Sequence, residues 1–188
     1  MCVIWVDDCL FFCKDKQQIN DSIKELSKHM PLTKEDSVIA FLGIKIERNN
    51  SSYTLSQPGL IQKIIEAVDM VDCHSAKTPA ASVPISTDPD GMSHNEIWEY
   101  RTLVGMLMFL ANNTRPDIAY ATHQCARFSH SPKASHSLAI KRIVRYLKLS
   151  CTFRFSLPVS NYRKFRFRIG STRKYAAIET MTTISSGF

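Results

Sequence analysis

Two adjacent aspartates near the start of the chain, Asp7 and Asp8, are the side chains best suited by type and spacing to bind a metal ion. They lie between two apolar runs, residues 2–6 and 9–12, whose composition favours buried β-strands. Like charges side by side at such a site are electrostatically costly unless a cation binds there. Because Mg²⁺ prefers carboxylate oxygens, one interpretation of the pair is a divalent metal site.

The aspartate pair also has a second interpretation. Asp is common in turns for backbone reasons, so local sequence alone favours a solvated turn for an Asp-Asp pair between two strands. In the first interpretation the carboxylates extend from the end of a β-hairpin and bind metal together with substrate phosphates. Nucleotidyl transfer uses two such ions, which activate the attacking hydroxyl and stabilise the leaving pyrophosphate.

Strands and one amphipathic helix are predicted around this hairpin. Apolar residues recur at helical spacing between positions 19 and 30, behind an N-cap at Asp15. Residues 37–48 are predicted to form one strand, and residues 53–55 its antiparallel return. The first third of the chain is therefore predicted to combine antiparallel hairpins with a single helix.

Four further helices are predicted after residue 56, because apolar residues recur there with a period of three to four. Each has a cap residue, a proline or both at its expected start. These starts are Ser56 with Pro58, the capping box Ser93 with Glu96, Pro116, and Ser131 with Pro132. The pattern predicts a mainly helical module, and the chain as a whole is predicted to be α+β.

Charge is distributed unevenly along the 188 residues. Residues 1–117 contain 11 Lys and Arg against 16 Asp and Glu, a net charge of −5. Residues 118–188 contain 13 against the single acid Glu179, a net charge of +12. A strongly basic segment favours a polyanionic partner, since phosphate contacts by Lys and Arg release counterions.

The last predicted helix carries the most concentrated basic face. Lys141, Arg145 and Lys148 are spaced i, i+4 and i+7, and Arg142 lies beside them. This face is suited to contact a phosphate backbone. An ordinary solvated helix face is the alternative interpretation, and the sequence leaves both open.

Composition argues against several other classes of protein. The longest apolar stretch, residues 103–111, is far shorter than the roughly 20 residues of a membrane span, and no basic segment precedes the N-terminal apolar run. The six cysteines show no Cys-x-x-Cys spacing, and no His-x-x-x-His pair is present. These features predict an intracellular protein with reduced cysteines, no zinc site and no membrane association.

A family resemblance is carried by a series of motifs. Trp5-Val6-Asp7-Asp8 resembles the aromatic-x-Asp-Asp box of reverse transcriptases, and the motifs after it are similar to those of copia-type retrotransposon polyproteins, in order, over roughly four fifths of the chain. These later motifs are Phe41-Leu42-Gly43-Ile44, Leu55-Ser56-Gln57-Pro58, Thr78-Pro79, Tyr100-Arg101-Thr102-Leu103-Val104-Gly105, Thr114-Arg115-Pro116-Asp117-Ile118-Ala119-Tyr120-Ala121, Arg127-Phe128 and Lys141-Arg142-Ile143-Val144-Arg145-Tyr146-Leu147-Lys148.

The resemblance implies an organisation and an activity. Residues 1–56 would be part of a polymerase palm, residues 57–150 a helical thumb and connection, and residues 151–188 a basic tail, disordered or degenerate. The implied activity is RNA-directed DNA polymerisation, with Mg²⁺ or Mn²⁺ held by catalytic Asp7 and Asp8. The implied partners are an RNA template paired with a DNA primer, and the remainder of a polyprotein. Nucleic acid would contact Trp5, Leu42, Gly43, Lys141, Arg142, Arg145 and Lys148.

Departures from the family pattern limit the expected activity. Trp5 replaces the usual tyrosine, and Leu149 stands where the family has glycine. The resemblance also implies a third aspartate on an earlier strand and a fingers region, neither of which these residues contain. We therefore expect the chain to be inactive alone. A non-catalytic nucleic-acid-binding module and an inert retroelement remnant are the two alternatives.

Overall fold

The computed structural model shows two compact units, Met1–Thr54 with Leu157–Phe188, and Leu55–Ser156. The described residues are 2–5, 8–13, 15–29, 31–35, 40–49, 52–158, 165–169, 172–176 and 180–185. Within them lie five α-helices, two four-stranded sheets and one two-stranded sheet, which confirms the predicted α+β class. None of the helices in these ranges is long and apolar enough to cross a bilayer.

The elements are numbered in chain order. The strands are β1 (Cys2–Trp5), β2 (Asp8–Cys13), β3 (Thr33–Glu35), β4 (Ala40–Phe41), β5 (Ile44–Arg48), β6 (Ser52–Ser56), β7 (Phe155–Pro158), β8 (Phe165–Ile169), β9 (Thr172–Ala176) and β10 (Thr180–Ser185). The helices are α1 (Lys16–Leu26), α2 (Pro58–Ala67), α3 (Tyr100–Asn113), a 3-10 turn (Pro116–Ile118), α4 (Ala119–Ala126) and α5 (Ala134–Leu149).

The first sheet has the strand order β1-β2-β10-β3, and every neighbouring pair is antiparallel. Its first two strands correspond to the apolar runs at residues 2–6 and 9–12, which confirms them as strands. The sequence pattern did not predict β10, which lies between β2 and β3. In that position Thr182 is opposite Phe11, and Ile184 is opposite both Cys9 and Lys34.

Helix α1 follows β2 and begins where its cap predicts. The Asp15 carboxylate accepts a hydrogen bond from the Gln17 backbone N–H at 2.8 Å, which satisfies one of the otherwise unpaired donors of the first turn. Ile19 and Ile23 are buried against Phe11 of β2. This small apolar cluster attaches the helix to the β1–β2 hairpin.

The second sheet has the order β4-β5-β6-β7. The prediction of one continuous strand over residues 37–48 is wrong at residues 42 and 43, which form a turn between β4 and β5; residues 37–39 lie outside the described ranges. The predicted return strand at residues 53–55 is confirmed within β6. Strands β8 and β9 pair with each other in an antiparallel hairpin, in which Arg168 is opposite Arg173.

The unit of residues 55–156 has one apolar core to which α2, α3, α4 and α5 all contribute. Each helix buries residues at the predicted spacing, since every turn must present its apolar side chains to the same neighbours. Burying one such aliphatic side chain contributes roughly 1.5–3 kcal/mol. Side chains with no exposed surface in this core are Ile64, Leu107, Leu110, Ile118, Ile140, Ile143, Val144 and Leu147.

Two of the predicted helix starts are confirmed only in part. Pro58 occupies the first turn of α2, but Ser56 belongs to β6, and Gln57 is the N-cap, without a side-chain hydrogen bond. Pro116 opens the 3-10 turn that leads into α4. Proline suits both positions because its fixed φ favours the helix and its missing N–H costs nothing there.

The other two predicted starts are wrong. The capping box at Ser93 does not begin a helix, because the Ser93 backbone forms a β-bridge with Lys133; α3 begins at Tyr100, capped by Glu99. Helix α5 begins at Ala134, two residues beyond the predicted proline. Contacts between segments distant in sequence decide both starts.

Candidate functional site

Asp8, the second aspartate of the pair, is the first residue of β2. Trp5, the last residue of β1, is opposite Asp8, the first residue of β2. On the other side of β2, Asp8 is opposite Ser185 of β10. Asp7 lies outside the described residues. The roles of Trp5, Asp7 and Asp8 therefore stay predictions.

The described part of the chain offers no alternative metal site. Among the described ranges, no three His, Cys, Asp or Glu side chains come together in a group suited to a metal ion. Residue 7 lies outside those ranges.

The predicted primer-contacting residues, Leu42 and Gly43, form the two-residue turn between β4 and β5. Both have positive φ, 52° for Leu42 and 73° for Gly43, and the strands rejoin with Phe41 opposite Ile44. Glycine adopts this backbone readily, whereas for leucine it costs about 1–2 kcal/mol. Leu42 is half-buried and Gly43 is exposed. Their contact with a primer stays a prediction.

The basic face of α5 is largely engaged with the rest of its own unit. Lys141 Nζ forms an ion pair with Glu96 Oε1 at 2.7 Å. Arg142 donates to the Thr78 hydroxyl at 2.8 Å, and Lys148 Nζ donates to two backbone carbonyls, those of Val71 and Cys73. Each of these side chains, like Arg145, is half-buried.

These partners all belong to one segment, residues 70–98, which we call the strap. It runs along α5 and contains no helix or strand beyond the Ser93 bridge. Its backbone is held by further hydrogen bonds along α5. They are Ala76 N to Arg145 O at 3.2 Å, His136 Nε2 to Ser86 O at 2.9 Å, Lys133 Nζ to Gly91 O at 3.0 Å, and Ala134 N to Met92 O at 2.8 Å.

His136 is a structural residue that sequence reasoning did not single out. Its Nδ1 accepts from the Lys133 backbone N–H at 2.9 Å, so the ring proton lies on Nε2, which donates to the Ser86 carbonyl. The ring is fully buried and stacks on Phe128, with centroids 4.0 Å apart. The neutral imidazole therefore joins the start of α5 to the middle of the strap.

Arg115 is a second residue that sequence reasoning missed. Its guanidinium is 1% exposed and binds both carboxylate oxygens of Asp117, at 2.7 and 2.9 Å. It also donates to the Ser150 carbonyl at 3.1 Å and to the Ser150 hydroxyl at 2.6 Å. The signal was present in the Thr114-Arg115-Pro116-Asp117 motif, but spacing alone did not reveal that the charges pair.

The Asp117 carboxylate completes this network. It accepts a third hydrogen bond from the Tyr146 hydroxyl at 2.8 Å. Burial favours a raised pKa for this carboxyl, but the hydrogen bonds from Arg115 and Tyr146 outweigh it and lower the pKa below its usual value. The lowered pKa means that the ion pair stabilises the fold above the unfolded-state pKa and loses that effect as pH falls through the folded one.

Comparison with known proteins gives this site a context. Residues 1–82, which include the aspartate pair and the β4–β5 turn, match the reverse transcriptase (RNA-dependent DNA polymerase) family. The retrovirus-related Pol polyprotein from transposon RE1 of Arabidopsis thaliana is 33% identical over 77% of this chain, and that from transposon TNT 1-94 of Nicotiana tabacum is 32% identical over 78%. The chain is related to the reverse transcriptase region of copia-type retrotransposon polyproteins.

This relationship confirms the resemblance carried by the motifs. The matched region spans only 10% and 12% of the lengths of those two polyproteins. An uncharacterized mitochondrial protein of Arabidopsis thaliana is 30% identical over 78% of this chain and 60% of its own length. No solved structure matches the chain.

Proposed function

We propose that this chain is a segment of an RNA-directed DNA polymerase that acts on an RNA template and a DNA primer. The observation that carries the proposal is the match of residues 1–82 to the reverse transcriptase family, because those residues include Asp7 and Asp8. In this proposal residues 1–56 are part of the palm, and α2 to α5 form the thumb and connection. The remainder of the polyprotein is the partner that completes the enzyme, inside the cell.

The donor set at the hairpin suits a divalent ion. Two adjacent carboxylates supply hard oxygen ligands, which Mg²⁺ prefers and Mn²⁺ accepts. Asp8 begins β2 opposite Trp5, and Phe11 of the apolar cluster lies three residues farther along the strand. In the proposed enzyme Asp7 and Asp8 hold the ion, which lowers the cost of charge developing on the attacking hydroxyl and the leaving pyrophosphate.

Other residues position the nucleic acid in this proposal. Trp5 flanks the carboxylates from the neighbouring strand, and the turn at Leu42 and Gly43 contacts the primer end. Gly43 suits such a contact because it is exposed and lacks a side chain that would keep a sugar-phosphate backbone at a distance. The basic face of α5, with Lys141, Arg142, Arg145 and Lys148, contacts the duplex.

The 188 residues by themselves are expected not to extend a primer. The family resemblance implies a third carboxylate from an earlier strand, and Asp7 and Asp8 alone leave the metal cage incomplete. The measurement is extension of a labelled DNA primer on an RNA template with Mg²⁺ and deoxynucleotides. Extension that disappears in Asp7→Ala but persists in the matched control Asp15→Ala would contradict the expected inactivity.

A non-catalytic nucleic-acid-binding module is the second candidate function. It is favoured by the charge of residues 118–188, which contain 13 basic residues and one acidic residue. Such an excess supports salt-dependent binding to phosphates without any need for the aspartates. Duplex binding that is unchanged in Asp7→Asn with Asp8→Asn, and unaffected by Mg²⁺, would favour this candidate. A chain that neither extends a primer nor binds duplex would be the inert remnant.

A further inference from the structure

We propose that Arg142 and Arg145 form a binding seat for one or two backbone phosphates, and that Lys141 and Lys148 on the same face of α5 do not take part. This inference rests on the proposed function, since the phosphates belong to the template–primer duplex. Helical spacing alone does not distinguish these four basic residues. The inference separates them into a structural pair and a ligand-binding pair.

The two lysines already bind acceptors of the strap. The Lys141 ammonium lies 2.7 Å from Glu96, so its charge is neutralised by a carboxylate of the strap. The Lys148 ammonium donates to the carbonyls of Val71 and Cys73, the latter at 2.9 Å. Moving either lysine onto a phosphate would leave strap acceptors without their donors, which offsets what the new contact would contribute.

The two arginines are not satisfied in this way. Within the described ranges, Arg142 makes one side-chain hydrogen bond, to the Thr78 hydroxyl, and its Nε is buried without a partner. The Nε of Arg145 is likewise buried without a partner, and its guanidinium makes no hydrogen bond or ion pair within the part of the chain that the structure describes. A guanidinium has five N–H donors, and leaving a charged donor both buried and unpaired is unfavourable.

The segments that carry and flank the arginines contain no carboxylate that competes for them. Neither residues 73–87 of the strap nor helix α5 contains an Asp or a Glu. The strap instead brings another cation, because Ala76 bonds to the Arg145 backbone and Thr78 to the Arg142 side chain, and Lys77 lies between them, exposed. Three cations without an acidic partner repel one another and favour an anion.

Phosphate matches this arrangement in geometry and charge. Residues three apart on a helix have Cβ atoms about 5–6 Å apart, so Arg142 and Arg145 present neighbouring planar forks. Such forks bind phosphate oxygens through two parallel N–H bonds, which an ammonium cannot do. The Thr78 hydroxyl, which accepts from Arg142, also donates to the Ala80 carbonyl, and so it holds the Arg142 fork in place from the strap side.

The test measures how duplex affinity depends on salt. The full chain is titrated with a fluorescent RNA–DNA duplex at several KCl concentrations, for the wild type, for Arg142→Gln with Arg145→Gln, and for Lys141→Gln with Lys148→Gln. Both double variants remove two positive charges. The arginine pair is expected to reduce the slope of log K against log salt by about 1–2, because each lost phosphate contact removes roughly 0.9 and the seat binds one or two phosphates. The lysine pair is expected to change the slope by less than half as much.

Each outcome has a distinct meaning. Equal reductions of the slope by both double variants would overturn the proposal of a binding seat, because affinity would then depend only on total charge. The proposed function would still stand. A wild-type chain that does not bind the duplex would overturn the proposed function and the seat with it.

Because loss of binding could come from unfolding, Arg142→Lys with Arg145→Lys is measured as well. It keeps both charges, and the seat predicts a nearly unchanged slope with affinity weaker by about fivefold or more, since an ammonium lacks the planar fork; unchanged affinity would contradict it.

Discussion

Replacing Arg115 with alanine is expected to lower the free energy of unfolding by about 3–5 kcal/mol, which is the usual cost of removing one partner of a buried ion pair. The guanidinium is 1% exposed and provides hydrogen bonds to Asp117 and to Ser150. Its removal leaves the Asp117 carboxylate partly buried without a counter-ion. Because Ser150 directly follows α5, the variant also releases the C-terminal end of that helix from the start of α4.

The measurement is equilibrium urea unfolding, followed by fluorescence of the buried Trp98 in the same unit. Arg127→Ala is the matched control, because Arg127 is exposed and its side chain makes one hydrogen bond, to Gln124, and one cation–π contact, with Phe128, within the described ranges. It is expected to change the free energy of unfolding by less than about 0.5 kcal/mol. A loss below about 1 kcal/mol in Arg115→Ala, far under the cost of an uncompensated buried charge, would show that the ion pair does not hold the unit together.

His136→Ala is expected to cost about 2–4 kcal/mol of unfolding free energy, from lost packing and lost hydrogen bonds together. The substitution removes a fully buried ring that stacks on Phe128, and it leaves both the Lys133 N–H and the Ser86 carbonyl without partners. Both hydrogen bonds are only part-buried, so water replaces part of what they contribute, and most of the expected cost comes from the lost packing of the ring. The strap should therefore detach from the first turn of α5 before the helical core unfolds.

Native-state hydrogen exchange separates these two events. The Ala134 amide, which donates to Met92 at 2.8 Å, is expected to exchange much faster in His136→Ala, whereas amides within α3 keep their protection. His123→Ala serves as the control because His123 is exposed on α4. Equal protection of the Ala134 amide in both variants would mean that His136 does not hold the strap.

Local signals in the sequence predicted those elements whose residues are close together in the chain. The apolar runs on either side of Asp7 and Asp8 became β1 and β2, and Asp15 capped α1, because strand propensity and capping depend on neighbouring residues. The buried stripes of α2 and α5 were predictable for the same reason. Each stripe is set by a period of about 3.6 residues and needs no knowledge of its partner.

Pairing between distant residues was not predictable in this way. Strand β10 begins at Thr180, whereas the strands it pairs with end at Cys13 and Glu35, and nothing in its composition identifies its position between them. Ser93 and Glu96 satisfied the rule for a capping box, but bonds to Lys133 and Lys141 hold them in an extended strap. Tertiary contacts thus overrode a local helix signal that was correct in type.

In the candidate site, too, local signals were predictable and contacts between distant residues were not. The family resemblance predicted Asp7 and Asp8 and the turn at Leu42 and Gly43, because those motifs are contiguous. The basic face of α5 was predicted by helical spacing, but spacing does not reveal which charges have partners. Lys141 is paired with Glu96, whereas Arg145 has an unpaired Nε. This difference depends on the strap, whose bonded residues precede Lys141 by 45 positions and Lys148 by 75.

Paramagnetic broadening by Mn²⁺ tests whether Asp7 and Asp8 form the proposed divalent metal site. In an NMR titration of the labelled full chain, low Mn²⁺ is expected to broaden the amide signals of residues 4–10 first. Excess Mg²⁺ should restore them, and Asp7→Asn with Asp8→Asn should abolish the effect. Asp88→Asn with Asp90→Asn is the control for a second acidic loop and should leave the broadening unchanged. Broadening that begins elsewhere, or that survives in the Asp7 and Asp8 variant, would contradict a metal site at the hairpin.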